Sequence, residues 1–161
     1  MTVPEKPKGT EIAETTTFSP KLVKGDYAKS KAMATALVLQ AAKDGLNASV
    51  VFPSGIIGPG DLGKGSITNM LLSFLAGKLP LAVMGGYDFV DVRDVAAGIL
   101  ACAECGLPGH GYILSGYYAT IRDILELVKK TVNLRRSVSY LPIGFAKLVA
   151  PIYEKISLRR R

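Results

Sequence analysis

DYAKSKAMATALVLQAAKDGLNASVVFP, residues 26–53, is the stretch on which the reading of this chain turns. From Tyr27 to Lys43 small and apolar residues recur at helical spacing with no Gly or Pro to interrupt them, Asp26 stands where a helix cap is favoured, and Gly45 stands where a helix ends. After the helix, Ala48-Ser-Val-Val-Phe52 is a short continuous apolar run closed by Pro53, the pattern of a parallel strand buried on both faces. A helix followed within a few residues by such a strand is one half-turn of an α/β fold.

The rest of the chain repeats that alternation. Residues 1–25, with Pro4, Pro7, Pro20, Gly9 and a Thr15-Thr16-Thr17 run, have no period and read as loop. Downstream of the strand, Ser54 to Gly65 reads as a Gly/Pro loop, Ser66 opens a helix to about Ala76, and Tyr87 to Val92 is β-like. Arg93 to Cys105 reads as a helix, its Ala96–Cys105 part buried, and Asp91 and Asp94 serve as cap and first-turn charges. Tyr112 to Ser115 reads as a strand, Thr120 caps a helix to about Val132, and Ser137 to Leu141 alternates like another strand. Ile143 to Ile156 reads as a last amphipathic helix kinked at Pro151. The sequence thus predicts one incomplete domain over residues 1–161: a loop (1–25), a helix and strand of the sheet (26–60), and mixed substrate-region and sheet-edge elements (61–161).

Composition narrows the function classes. The chain has 161 residues, 48% of them apolar and 20% charged, which is ordinary for a soluble globular domain. The richest apolar segment, Leu71 to Met84, is broken by Lys78 and Pro80, and the amino terminus lacks a basic-then-apolar signal pattern, so the expectation is a cytoplasmic protein without a membrane span. Of the net charge of +7, all the excess lies beyond residue 128, ending in Arg159-Arg160-Arg161. With no aromatic interleaving and no nucleic-acid module, this reads as a solvated face; the other reading is a non-enzymatic interaction fragment with a basic tail. Cys102 and Cys105 form a lone C-x-x-C on a helix, and His110 is the sole histidine, too few ligands for zinc and too few partners for a Ser-His-Asp triad. No metal is expected.

One motif carries acid–base chemistry. Residues four apart share a helix face, so the phenol of Tyr27 and the ammonium of Lys31 address one space. A free phenol titrates at about 10, too high for proton transfer at neutral pH, but an ammonium at about 6 Å favours the phenolate by roughly 2–3 kcal/mol at an effective dielectric of about 20. By itself the pair says little: with 7 Tyr in a lysine-rich chain, such a pair arises by chance in about every second sequence. Its specificity comes from the segments downstream of it: the strand Ser49–Phe52, then Pro53-Ser-Gly-Ile-Ile-Gly-Pro-Gly60, then Asp88-Phe-Val-Asp-Val-Arg-Asp-Val-Ala96.

This order and spacing, from Glu14 to about Tyr140, resemble the extended short-chain dehydrogenase/reductase family of nucleotide-sugar epimerases, dehydratases and dihydroflavonol-reductase-like enzymes. The resemblance implies an α/β fold, the later strands and helices of a Rossmann-like parallel sheet plus part of a small substrate-binding region. It implies an NAD- or NADP-dependent oxidoreductase or epimerase acting on a secondary alcohol or ketone. Tyr27 would exchange the proton, and Lys31 would ease its ionisation and hold the nicotinamide ribose. Pro53, Ser54, Gly55 and Ile56 would flank the nicotinamide, and Gly86, Tyr87 and Asp88 would touch a small-molecule substrate. The glycine-rich cofactor turn and the middle-strand Ser or Thr of that family are not in the sequence, so the isolated chain is expected to be inactive, with a missing amino-terminal half among its partners and room for a homo-oligomer. A competing motif, Gly58-Pro-Gly-Asp-Leu-Gly63 with Lys64, approaches a phosphate-binding loop running to Ser66. Gly65 stands where that loop needs Ser or Thr, and Pro59 removes an amide.

Overall fold

The computed structural model describes residues 12–15 and 17–142. They form, in chain order, a 3-10 turn (Pro20–Leu22), α1 (Asp26–Lys43), β1 (Val50–Pro53), β2 (Gly55–Ile57), α2 (Ser66–Leu75), β3 (Leu81–Val83), β4 (Gly86–Asp91), α3 (Val92–Cys105), β5 (Gly111–Leu114), β6 (Tyr117–Thr120), α4 (Ile121–Thr131) and β7 (Ser139–Leu141). Strands alternate with helices, and β1–β5, β2–β4 and β3–β7 all pair in parallel. This is the α/β, parallel-sheet class expected from the sequence. The predicted helix over residues 143–156 lies outside the described residues.

The described residues fall into two compact units: those up to 58 with 89–116, and residues 59–88 with those from 117 to 142. The chain leaves the first unit after Gly58, returns to it within β4, and leaves it again after Gly116, so α3 and β5 belong with α1 and β1.

In the first unit, α1 stops as its sequence requires. Gly45 takes φ +107°, the Gly45 amide donates to the Ala42 carbonyl (3.2 Å) and the Leu46 amide to the Ala41 carbonyl (2.9 Å). This pair of bonds closes a helix around a left-handed glycine. At the other end Gly25, also at positive φ, is the N-cap, with no side-chain cap bond, and Asp26 is the first helical residue. The expected Asp26 cap is thereby corrected: the carboxylate acts in the first turn, where it meets the positive end of the helix dipole. β1 and β5 run in register from Val50 opposite Gly111 to Pro53 opposite Leu114. Only Phe52 of β1 is buried, so the expectation of a strand buried on both faces fails. α3 is capped by Asp91, as read from the sequence, but it is not the buried helix expected: Val95 is its buried residue, and Leu100 is 64% exposed.

The second unit holds a contiguous apolar cluster. Phe74 of α2, Ala82 of β3 and Ile121 and Leu125 of α4 are buried together, with Met70, Leu71, Val128 and Tyr140 packed around them. α4 begins with a reciprocal cap, in which the Asp123 amide donates to Thr120 Oγ1 (3.1 Å) and the Thr120 amide to Asp123 Oδ2 (2.9 Å). The sequence does not predict β2, β3 or β6: each is three or four residues long, too short for a period-2 pattern to stand out.

Candidate active site

The site begins with a stripe along α1. Tyr27, Lys31, Ala34, Thr35 and Val38 succeed one another along one side of the helix, and together with Val50 to Pro53 of β1 they line an open crevice of about 430 Å³. The neighbouring stripe, Ala32 and Leu39, is buried, which fixes how the helix is rolled and leaves the first stripe facing the crevice. Ala34 and Thr35 are small, and their size leaves the crevice its room.

At its mouth Lys31 Nζ lies 5.7 Å from the centroid of the Tyr27 ring. The Tyr27 carbonyl accepts a bond from Ser30 Oγ (2.8 Å), while the phenol is mostly in water, the residue being 75% exposed. At that exposure the attraction between ring and ammonium is weak; it strengthens when a bound molecule displaces the water. Pro53, at the carboxyl end of β1, shares the crevice with the pair. Ligands of open α/β sheets sit outside strand ends of this kind.

Ser54 is the next residue along the chain. Its amide donates to the Leu114 carbonyl of β5 (3.0 Å), and its Oγ is buried without a hydrogen-bond partner among the described residues. A buried hydroxyl in that condition is uncommon. Ile56, on β2, is 48% exposed, and Gly55 pairs with Phe89. Sequence reasoning misses Ala34, Thr35 and Val38, although continuing the helical step from Tyr27 and Lys31 finds them.

Gly86, Tyr87 and Asp88 open β4 in the second unit. Gly86 is a close-approach glycine: a Cβ there would lie 2.6 Å from the Tyr118 ring and 2.8 Å from the Ala119 carbonyl oxygen. Tyr87 is largely exposed. Asp91, at the end of β4, accepts from the Arg93 amide (2.8 Å), Nε (2.9 Å) and Nη2 (2.6 Å). The Arg93 side-chain bonds, then its amide, hold the Asp91 carboxyl down at about 2. That is the environment of a structural cap.

The phosphate-loop alternative is answered by Asp61. Its Oδ2 accepts from the Gly65 amide (2.7 Å) and from Thr68 Oγ1 (2.5 Å), and these bonds, Thr68 first, hold its carboxyl below the usual range. Two donors at the start of α2, the Gly65 amide and the Thr68 hydroxyl, are thereby turned onto the loop's own carboxylate rather than left for a phosphate. Cys102 Sγ lies 3.0 Å from Ser49 Oγ and Cys105 is exposed. Among the described residues no three His, Cys, Asp or Glu gather as a metal site would require, and no helix is long and apolar enough to cross a membrane.

Comparison with known proteins puts a family to this geometry. Residues 2–114 match the model of the NAD dependent epimerase/dehydratase family. The chain is 31% identical over 148 residues to sterol demethylase protein B of Methylococcus capsulatus, covering 89% of this chain and 45% of that protein. It is 32% identical over 136 residues to a putative dihydroflavonol 4-reductase of Synechocystis, covering 82% and 40%. The crystal structure of gox2253, 29% identical, superposes with a TM-score of 0.82 over 97% of this chain and 48% of that one. The chain therefore spans a little under half the length of the relatives it matches. Its family model covers more than two thirds of its residues, and the chain belongs to the NAD dependent epimerase/dehydratase family.

Proposed function

We propose that this chain supplies the proton-transfer half of an NAD- or NADP-dependent oxidoreductase or epimerase that acts on a secondary alcohol or ketone of a small molecule, of the dihydroflavonol-reductase or nucleotide-sugar type. The observation that carries this reading is the shared crevice: Tyr27 and Lys31, one helical turn apart, open on the same space as Pro53 at the end of β1. The Tyr27 phenol donates its proton to the carbonyl oxygen as that oxygen gains charge, and takes the proton back from the alcohol in the reverse direction. Lys31 stabilises the phenolate left behind and binds the ribose hydroxyls. The nicotinamide, when bound, gives or receives the hydride.

The residues present suit its ribose and amide end. The Lys31 ammonium shares the crevice with Pro53, the buried Ser54 Oγ next along the chain lacks a partner among the described residues, and we assign the backbone of Pro53 and Gly55 and the side chain of Ile56 to the nicotinamide contact. Gly86, Tyr87 and Asp88 contact the substrate. The pyrophosphate would be held by the glycine-rich turn of a missing amino-terminal half, whether on the same polypeptide or a separate one, and on this reading the chain by itself is inactive. We place the enzyme in the cytoplasm.

The test compares the longer polypeptide containing this chain with its Tyr27→Phe variant and with the chain alone, in nicotinamide oxidation and reduction assays on ketones and secondary alcohols. Tyr27→Phe is expected to lower kcat by about 10²–10⁴-fold without loss of fold. Full turnover in that variant would refute the assigned chemistry.

A further inference from the structure

Two contacts made by residues ahead of α1 have no part in the chemistry above. Glu14 Oε1 accepts a hydrogen bond from the Ile113 amide of β5 (3.0 Å), across 99 residues of sequence. The Phe18 ring stacks on Phe52 of β1, with centroids 5.2 Å apart and planes at 28°. Each strand of the β1–β5 pair is therefore gripped by one side chain from the segment that leads into α1.

The ladder shows which edge Glu14 occupies. Val50 and Ser54 donate to the His110 and Leu114 carbonyls, so in a parallel pair the residues of β5 alternate and the Ile113 amide points away from β1. That outer amide is the kind of group that recruits a foreign strand, and the Glu14 carboxylate occupies it. Phe52 is held on two sides. Phe18 stacks on it, and Gly111 lies so close that a Cβ would come within 2.4 Å of Phe52 Cε2. Phe52 is at the same time a wall of the crevice that Tyr27 and Lys31 enter.

We propose that Glu14 and Phe18 are positioning residues: they tie the approach to α1 onto both strands of the β1–β5 pair and so set the Tyr27 end of the helix against Phe52 and Pro53. Pinning one face of the crevice from the segment that delivers the other fixes the width between them, and proton transfer is steep in that distance. The turnover arm of the test rests on the proposed function; the spectroscopic arm does not.

On the protein labelled for nuclear magnetic resonance, Glu14→Ala is expected to speed exchange of the Ile113 amide about 10-fold, and Glu14→Gln, which keeps an acceptor, to hold it within about threefold of the parent. Phe18→Leu keeps apolar contact but loses stacking. It is expected to displace the Tyr27 ring resonances, and Phe18→Tyr to restore them. In the longer enzyme Phe18→Leu is expected to lower kcat about 10-fold with KM little changed. Unchanged Tyr27 resonances in Phe18→Leu while those of Phe52 move, or unchanged Ile113 exchange in Glu14→Ala, would overturn the proposal. Absence of turnover in every form, with both spectroscopic effects present, would count against the proposed reaction and leave the positioning role standing.

Discussion

The two units of this chain spend their apolar residues differently. The second draws Phe74, Ala82, Ile121 and Leu125 from one strand and two helices into a single buried cluster and starts α4 with a reciprocal cap. In the first, the buried apolar residues Ala32, Leu39, Phe52, Phe89, Val90 and Val95 are spread over α1, β1, β4 and α3, all four residues of β5 are half-buried, and α1 exposes Met33 and Leu37. The acid–base pair sits in the unit with the open face. A packed cluster resists rearrangement, whereas a crevice meant for a ligand must leave atoms without neighbours until the ligand arrives.

That contrast can be broken at several strengths. The largest effect is expected from Leu125→Ala, since Leu125 is 1% exposed at the centre of the cluster: about 2–5 kcal/mol by urea unfolding. Loss of the second unit with the β1–β5 amides still protected from exchange would sharpen the division; simultaneous loss of both would erase it. In the first unit the corresponding stress is Gly111→Ala, whose added Cβ meets Phe52. About 1–3 kcal/mol of destabilisation is expected, read from the thermal midpoint, with the Phe52 ring resonances moving. Smaller again is Thr120→Ala, which removes the side chain that accepts from the Asp123 amide. It is expected to cost about 1 kcal/mol in denaturant titration, and Thr120→Ser to retain most of it.

The smallest effect is a pH dependence with a sign. The Arg93 bonds lower the Asp91 carboxyl to about 2 from its ordinary 3.8, so ionised Asp91 favours the folded chain. That contribution is complete above the ordinary value and fades as pH falls toward 2. Asp61 and Asp123 are lowered in the same direction, by hydrogen bonds led by Thr68 and Thr120 respectively, so acid is expected to weaken both units. Asp91→Asn is expected to flatten the acid limb of the first unit's stability curve alone. An equal flattening in the second unit would contradict the separate roles.

Much of the molecule is legible in its sequence, where the information is local. The bounds of α1 come from an uninterrupted run of helix formers ending at Gly45, and the α4 cap from Thr120 three residues before Asp123, because such bonds link residues close in sequence. The direction in which Tyr27 and Lys31 jointly point comes from helical geometry alone. Other features are hidden. Gly55-Ile-Ile57 reads as loop because it is too short to show a period, and it is a strand, β2, because β4 lies alongside it. Asp61 is inconspicuous inside a glycine-rich motif, though its carboxylate settles what the Gly65 and Thr68 donors do.

The amino-acid order by itself determined the four helices α1 to α4, the strands β1, β4, β5 and β7, the helix–strand alternation that favours parallel pairing, and the helical turn that joins Tyr27 to Lys31. Only the tertiary structure decided that this pair opens onto Pro53, that Ser54 buries a hydroxyl with no partner among the described residues, and that Glu14 reaches Ile113 across 99 residues. The physical reason is range. Propensity, capping and side-chain spacing act over a few residues, whereas crevices, orphaned polar atoms and edge contacts exist only after distant segments pack and exclude water.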